Sequence, residues 1–249
     1  PHPQKHMPKT PAQRHMARVL AQQEAERAAA ADPFGGTAQG SQHELVLAQL
    51  HAHMRLLKDI QSTEKKVEAK RKLLPEYMDY LDGVLEADAG VQDLVVTTLL
   101  VWMLDVGDWQ PALDVAAYCV RHGLQLPDRF NRNLPTLLLD EISEAAIKGQ
   151  LTGVNALAVL AKVDELTHGL DAHDQARAKL HKAIGWAAMG KTGTKDLSAD
   201  EIKALELDKV HIAHQHLQRA MALNDKAGVK KDVERLERRL KELQPAAPN

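Results

Sequence analysis

Apolar residues recur at helical spacing from residue 10 almost to the end of the chain, and polar turn-formers break the pattern at intervals. Thr10 with Pro11 reads as an N-cap followed by proline at the first helical position, opening a helix to about Ala31. That helix is rich in Ala and short of large side chains, so alone it is marginal and needs a partner or bound DNA to become firm. Residues 1–9 are polar and Pro-rich and predict disorder, and the Gly- and Pro-containing stretch Asp32–Ser41 predicts a hinge-like linker. Ser41 or Gln42 then begins a long helix to about Leu73. Its seam Val46, Leu50, His53, Leu57, Ile60, Glu64 and Val67 alternates steps of four and three, like a coiled coil, and fades towards its basic end. His53 reads there as a core-edge or partner-contacting residue.

Pro75 predicts the first turn of the next helix, through Tyr77, Met78, Leu81 and Leu85, with Gly90 after it. Val91–Asp105 is apolar on nearly every face and predicts the central helix of a core. A buried strand competes, but the length and the flanking Asp93 and Asp105 favour a helix. A helix over Pro111–His122 follows, closed by Gly123. The stretch from Val106-Gly107-Asp108-Trp109 to Tyr118 resembles the turn of a tetratricopeptide-type helical hairpin, a unit that binds and scaffolds. After a loop at Leu126–Pro135, helices are expected at about Thr136–Lys148, Val154–His168 and Ala172–Met189, with a flexible break at Gly190–Thr194. Ser198 and Glu201 fit a capping box, and Asp208–Leu223 weakly resembles a second hairpin exit. The last helix carries Val229, Val233, Leu236, Leu240 and Leu243 in a heptad seam that could zip to another chain or fold back on its own hairpin; Pro245 and Pro248 end the structure. The expectation is an all-α fold with tetratricopeptide-like hairpins. It divides into a flexible basic arm and linker (1–42), a helical core and oligomerisation domain (43–190) and a C-terminal helical hairpin (191–249).

Composition narrows the chemistry. The chain is 44% hydrophobic but only 3% aromatic, so Leu, Ala and Val must do the packing. Cys119, the single cysteine, lies in an apolar helix and reads as a small core residue, so neither a disulfide within one chain nor a cysteine zinc cluster can form. The longest apolar run, Leu94–Leu104, is too short to span a bilayer, and no signal peptide is read, so a cytoplasmic location with no membrane contact is expected.

The net charge of −2 hides a segregation. No Lys or Arg occurs from Leu73 to Tyr118, an interval holding Glu76, Asp79, Asp82, Glu86, Asp88, Asp93, Asp105, Asp108 and Asp114. Lys65, Lys66, Lys70, Arg71 and Lys72 cluster just before it, Lys9, Arg14 and Arg18 lie on the N-terminal arm, and a third basic group runs from Lys226 to Lys241. Separate charged surfaces point to separate electrostatic partners; solvated helix faces are the bland alternative. Lys9, Arg14, Arg18, Lys65, Lys66, Lys70, Arg71 and Lys72 are the candidate DNA-phosphate contacts, and no helix-turn-helix signature shows base reading.

Catalytic signatures are absent. There is no Walker A loop, GxGxxG run or GxSxG elbow, and no cofactor is expected. His211 and His214 share a helix face with Asp208 but lack the HExxH arrangement. The acidic block supplies carboxylates such as Asp79 and Asp82 at helical spacing, but scattered along surface-like positions rather than facing one another as a two-metal nuclease requires. No catalytic or metal-binding residue is assigned.

Several ordered segments resemble the small terminase subunit of P-two-like tailed phages. They begin with Pro11-Ala12-Gln13-Arg14-His15-Met16, Lys72-Leu73-Leu74-Pro75 and Asp105-Val106-Gly107-Asp108. Further on come Ala112-Leu113, Tyr118, Gly123-Leu124 and Ala178-Lys179-Leu180-His181-Lys182. Leu217-Gln218-Arg219-Ala220, Ala227-Gly228-Val229-Lys230-Lys231 and Glu234-Arg235-Leu236-Glu237 complete a set running from about Thr10 to Leu243. The resemblance implies a viral DNA-packaging protein that binds the cohesive-end site of concatemeric double-stranded phage DNA. It implies assembly as a homo-oligomeric ring and recruitment of a large terminase subunit carrying the ATPase and nuclease. Members are often labelled endonuclease subunits, which these residues assign to the holoenzyme. A helical-repeat adaptor without a DNA role and a metal-dependent endonuclease in its own right remain the alternative classes.

Overall fold

A computed structural model describes residues 9–32, 36–127, 132–151, 156–193 and 196–243. Among them are twelve α-helices, a 3-10 turn at Leu74–Glu76 and no strand; an isolated parallel bridge joins Thr37 to Gln92. The all-α expectation holds. The helices group into two compact units, residues 1–129 and 130–249.

The first unit holds α1 (Pro11–Ala31), α2 (Ser41–Asp59), α3 (Thr63–Leu73), α4 (Met78–Ala87), α5 (Leu94–Val106) and α6 (Trp109–Arg121). Thr10 caps α1 in a complete capping box with Gln13. The Ala-rich sequence that makes α1 marginal alone suits it to close packing. Ala17, Ala21, Ala25 and Ala28 are buried, and α1 lies along α4. Gly83 of α4 sits directly under the carbonyl of Arg18, where any Cβ would collide with backbone. Small side chains on both partners let the backbones of α1 and α4 approach.

Glu24 of α1 then starts α2. Gly40 offers α2 no side-chain cap, and the Glu24 carboxylate accepts the backbone N–H groups of Gln42 and His43, both at 2.9 Å. These are two of the four donors that a helix start leaves unpaired. The long helix expected over 41–73 is broken at Ile60–Ser62. Ser62 takes extended backbone geometry and its hydroxyl accepts from Lys65 N, so its capping preference outweighs continuation of the helix. Of the expected seam, Val46, Leu50, His53 and Leu57 are buried, whereas Glu64 beyond the break is exposed.

Helix α5 is the centre of the unit, with ten consecutive buried residues from Val95 to Leu104. Asp93, 1% exposed, caps it: Oδ1 accepts from Val95 N (2.7 Å) and Val96 N (3.4 Å), and Oδ2 accepts the Tyr80 hydroxyl (2.6 Å). Val91 and Gln92, expected to be helical, precede this cap, with Gln92 in the bridge to Thr37. Gly107, at φ 75°, ends α5 in the left-handed conformation that only glycine takes without strain, and α6 follows at once with Ala112 and Ala116 fully buried. Cys119 is buried on α6, and burial pushes its thiol up to about 12, so it is a core residue.

The second unit holds α7 (Leu134–Ile147), α8 (Ala156–Thr167), α9 (Asp174–Met189), α10 (Ala199–Lys203), α11 (Leu207–Leu223) and α12 (Lys230–Leu243). Helix α9 packs on α7, α8 and, most extensively, α11. Gly185 lets the Leu217 side chain sit against the α9 backbone. Ser198 and Glu201 form the expected capping box at α10. The heptad seam of α12 folds back on α11, with Val233 and Leu236 buried and Leu240 packed at the edge. A buried ion pair locks this closure: Lys191 Nζ lies 2.9 and 3.0 Å from the two Asp232 oxygens, and Trp186 Nε1 donates to the same carboxylate at 2.9 Å. The expected disorder of residues 1–8, the Pro33–Gly35 part of the linker, Arg129, Thr194, Pro245 and Pro248 lie outside the described residues.

On the α9–α11 face, His181 Nδ1 and His216 Nδ1 are 2.9 Å apart, so one ring donates and the other must be neutral. Burial, then the neighbouring His216, holds His181 at about 4; burial also lowers His216, against the pull of Asp164. A depressed histidine stabilises the fold above its ordinary value of about 6.5 and loses that contribution as pH falls towards 4.

Two predictions follow from these contacts. Glu24→Ala should lower the unfolding free energy by about 1–2 kcal/mol, read by chemical denaturation, because it orphans one buried and one partly buried donor. Thermal stability should fall between pH 6.5 and 4 by an amount on the order of 1–2 kcal/mol, discounted for partial exposure, and His181→Asn should flatten that part of the profile.

Candidate nucleic-acid interface

Four carboxylates of the acidic block, Asp79, Glu86, Asp88 and Asp105, pair with the chain's own basic side chains. On α4, Asp79 is only 8% exposed; its Oδ1 accepts from Arg14 Nε at 3.0 Å, and Lys9 Nζ lies 3.7 Å from Oδ2. One helical turn along α1, Arg18 Nε donates to Glu86 at 2.6 Å. Three of the candidate DNA contacts, Lys9, Arg14 and Arg18, thus clamp α1 to α4. Asp105 at the end of α5 pairs with Lys70 of α3, and Arg71 donates to the Val106 carbonyl at 3.1 Å. These two hold α3 against α5. Asp88 receives Arg121 and His122, which hold its carboxyl below the usual range, and Glu76 accepts from Gln49 at 2.6 Å.

The remaining candidates face solvent. Lys65 is exposed and Lys66 half-buried, and neither has a carboxylate within ion-pair distance among the described residues. Lys72 is exposed and pairs with Glu68 one turn back, at 2.7 Å. Such a surface pair is worth at most about 1 kcal/mol and yields readily to a phosphate. Lys70, Arg71 and Lys72 also occupy the last turn of α3, where cations complement the helix dipole. Sequence reasoning passed over Arg55 and Lys58, exposed in the last two turns of α2 before the break at Ile60–Ser62.

The residues weighed for metal chemistry are kept apart. Asp82 is half-buried, one turn beyond the paired Asp79. His211 and Asp208 are exposed, and His214 lies 3.5 Å from Glu237. Among the described residues no group of three His, Cys, Asp or Glu side chains converges to hold a metal ion. No helix among them is long and apolar enough to cross a membrane.

Counted by unit, residues 1–129 carry 17 Asp and Glu against 14 Lys and Arg, and residues 130–249 carry 17 against 18. The second unit therefore carries a surplus of one positive charge, although all eight candidate contacts lie in the first.

Comparison with known proteins places the chain. The family model described as phage small terminase subunit matches residues 47–175. The chain is 39% identical over 242 residues to "Terminase, endonuclease subunit" of Escherichia phage P2, covering 96% of this chain and 90% of that protein. It is 21% identical over 210 residues to "Probable terminase, endonuclease subunit" of Haemophilus phage HP1, covering 82% and 72%. No solved structure matches. The chain belongs to the phage small terminase subunit family, and with it to the machinery of phage DNA packaging.

Proposed function

We propose that the chain binds the cohesive-end packaging site of concatemeric double-stranded phage DNA, assembles as a ring and recruits the large ATPase–nuclease subunit. The observation that carries the DNA contact is the set of exposed Lys65 and Lys72 and half-buried Lys66 on α3, with exposed Arg55 and Lys58 near the end of α2. Charges of one sign at a helix junction suit a phosphate backbone, and binding releases the counterions condensed on it. Lys9, Arg14, Arg18, Lys70 and Arg71 act mainly through the fold, keeping α1 and α3 in place so that this surface is presented.

Self-association is supported by apolar side chains left in water. Leu45 and Leu56, 65% and 61% exposed, stand three turns apart on one face of α2. This face is offered to a neighbouring subunit. The alternative of a nuclease in its own right draws on the names of both relatives, each called an endonuclease subunit. It requires Mg²⁺-dependent cleavage by the isolated chain, lost in Asp79→Asn or Asp82→Asn.

Fluorescence anisotropy of the full chain with a labelled duplex should show affinity falling steeply with salt. Lys65→Gln/Lys66→Gln/Lys72→Gln should weaken binding roughly tenfold or more at low salt and lower the salt slope by about 2–3. Unchanged binding would remove the α3 assignment, and no salt-dependent binding by the unmodified chain would favour an adaptor. Light scattering should show a discrete oligomer that Leu45→Glu/Leu56→Glu dissociates; a strict monomer over a wide concentration range would count against the ring.

A further inference from the structure

The second unit carries a basic groove of about 370 Å³ between α10 and α12. One wall is Lys203 of α10, the other is the α12 face bearing Lys231, Arg235, Arg238 and Arg239, and a single carboxylate, Glu242, joins them. The floor is small and apolar, Ala199 with Ile202.

Two of these five cations are already matched. Lys231 Nζ is 2.7 Å from Asp196, and Arg239 Nη1 is 3.4 Å from Glu242. Arg239 also donates to the Lys203 carbonyl at 2.7 Å, which ties the two walls together. Lys203, Arg235 and Arg238 have no carboxylate partner among the described residues; Arg235 and Arg238 donate only to backbone carbonyls, of Leu197 and Glu234. The groove thus holds net positive charge that the fold does not neutralise, in contrast to the cations of α1.

The spacing selects the occupant. Residues 231, 235 and 238 recur once per turn, so their attachment points step along one face of α12 at about 4.5–6 Å. A line of cations matches a linear polyanion. Guanidinium groups dominate it, and their planar fork fits phosphate oxygens in pairs. A bound acidic peptide would draw much of its affinity from apolar side chains anchored in pockets, and a floor of Ala199 and Ile202 provides little room for them.

We propose that the α10–α12 groove binds the sugar–phosphate backbone of nucleic acid independently of sequence, as a second DNA contact besides α3. The proposal rests on the DNA-binding reading above. Lys203, Arg235 and Arg238 make the contacts, and Arg239 holds the walls at their separation.

The test uses the full chain, a labelled duplex of random sequence and a labelled poly-glutamate peptide. Lys203→Gln/Arg235→Gln/Arg238→Gln should bind the duplex about tenfold or more weakly at low salt, with a salt slope lower by about 2–3. Its thermal midpoint should match that of the unmodified chain. If it does not, Lys203→Gln/Arg238→Gln, two substitutions that remove no contact with the hydrophobic core, should lower the slope by about 1–2. Duplex binding unchanged in both variants while the α3 variant weakens it would overturn the groove and leave the parent reading standing. Loss of peptide binding with duplex binding intact would assign the groove to an acidic protein segment and overturn the phosphate proposal. If the unmodified chain binds no duplex, both DNA readings fall together.

Discussion

Carboxylates tie the helices of the first unit to one another. Glu24 reaches from α1 to the open N-terminus of α2, Asp79 and Glu86 fix α1 along α4, and Asp105 draws α3 onto α5. Asp93, almost fully buried, caps α5 and anchors a chain of hydrogen bonds through the Tyr80 hydroxyl to His43 at the start of α2. Burial raises the Asp93 carboxyl above its ordinary value, while Tyr80, His43 and two backbone amides oppose that rise. Apart from Glu24, these carboxylates come from one stretch of sequence, and they are distributed over several helix contacts of the unit. They serve as internal cement more than as a surface for others.

This arrangement explains which parts of the fold the sequence disclosed. Helical periodicity depends on a helix's own residues, so α5 could be recognised as central, α12 as a heptad and α10 by its capping box. Gly107 and Gly123 likewise mark helix ends through local chemistry. Partner choice depends on residues far away. Nothing near α1 announces that Gly83, more than fifty residues on, removes the one side chain that would keep the two backbones apart. The break at Ser62 was hidden because the seam before it is regular and a serine inside a helical pattern is common.

The candidate interface was legible in outline only. Charge clusters are visible in sequence, but whether a lysine is spent inside the molecule depends on carboxylates 35 to 68 positions away, such as Asp105 for Lys70 and Glu86 for Arg18. The same limit hid the groove. Lys203 stands alone in sequence and meets the α12 arginines only because α10 folds against α12. It also hid the His181–His216 pair, whose members lie on different helices.

The Lys191–Asp232 pair bears on how genes of this kind can exchange parts. Glycines around residue 190 look like a natural seam, yet the lysine beside them is 6% exposed, and its counter-charge comes from the final helix. Recombination that replaced only the sequence beyond residue 193 with an unmatched tail would leave Lys191 without its counter-charge and Trp186 without its acceptor, and uncover the face of α9 that Leu217 covers. Separating such a buried pair costs about 3–5 kcal/mol, a large share of the stability of a typical domain. The inheritable module at this end of the protein therefore begins before α9, and its border in the gene lies well upstream of the apparent hinge.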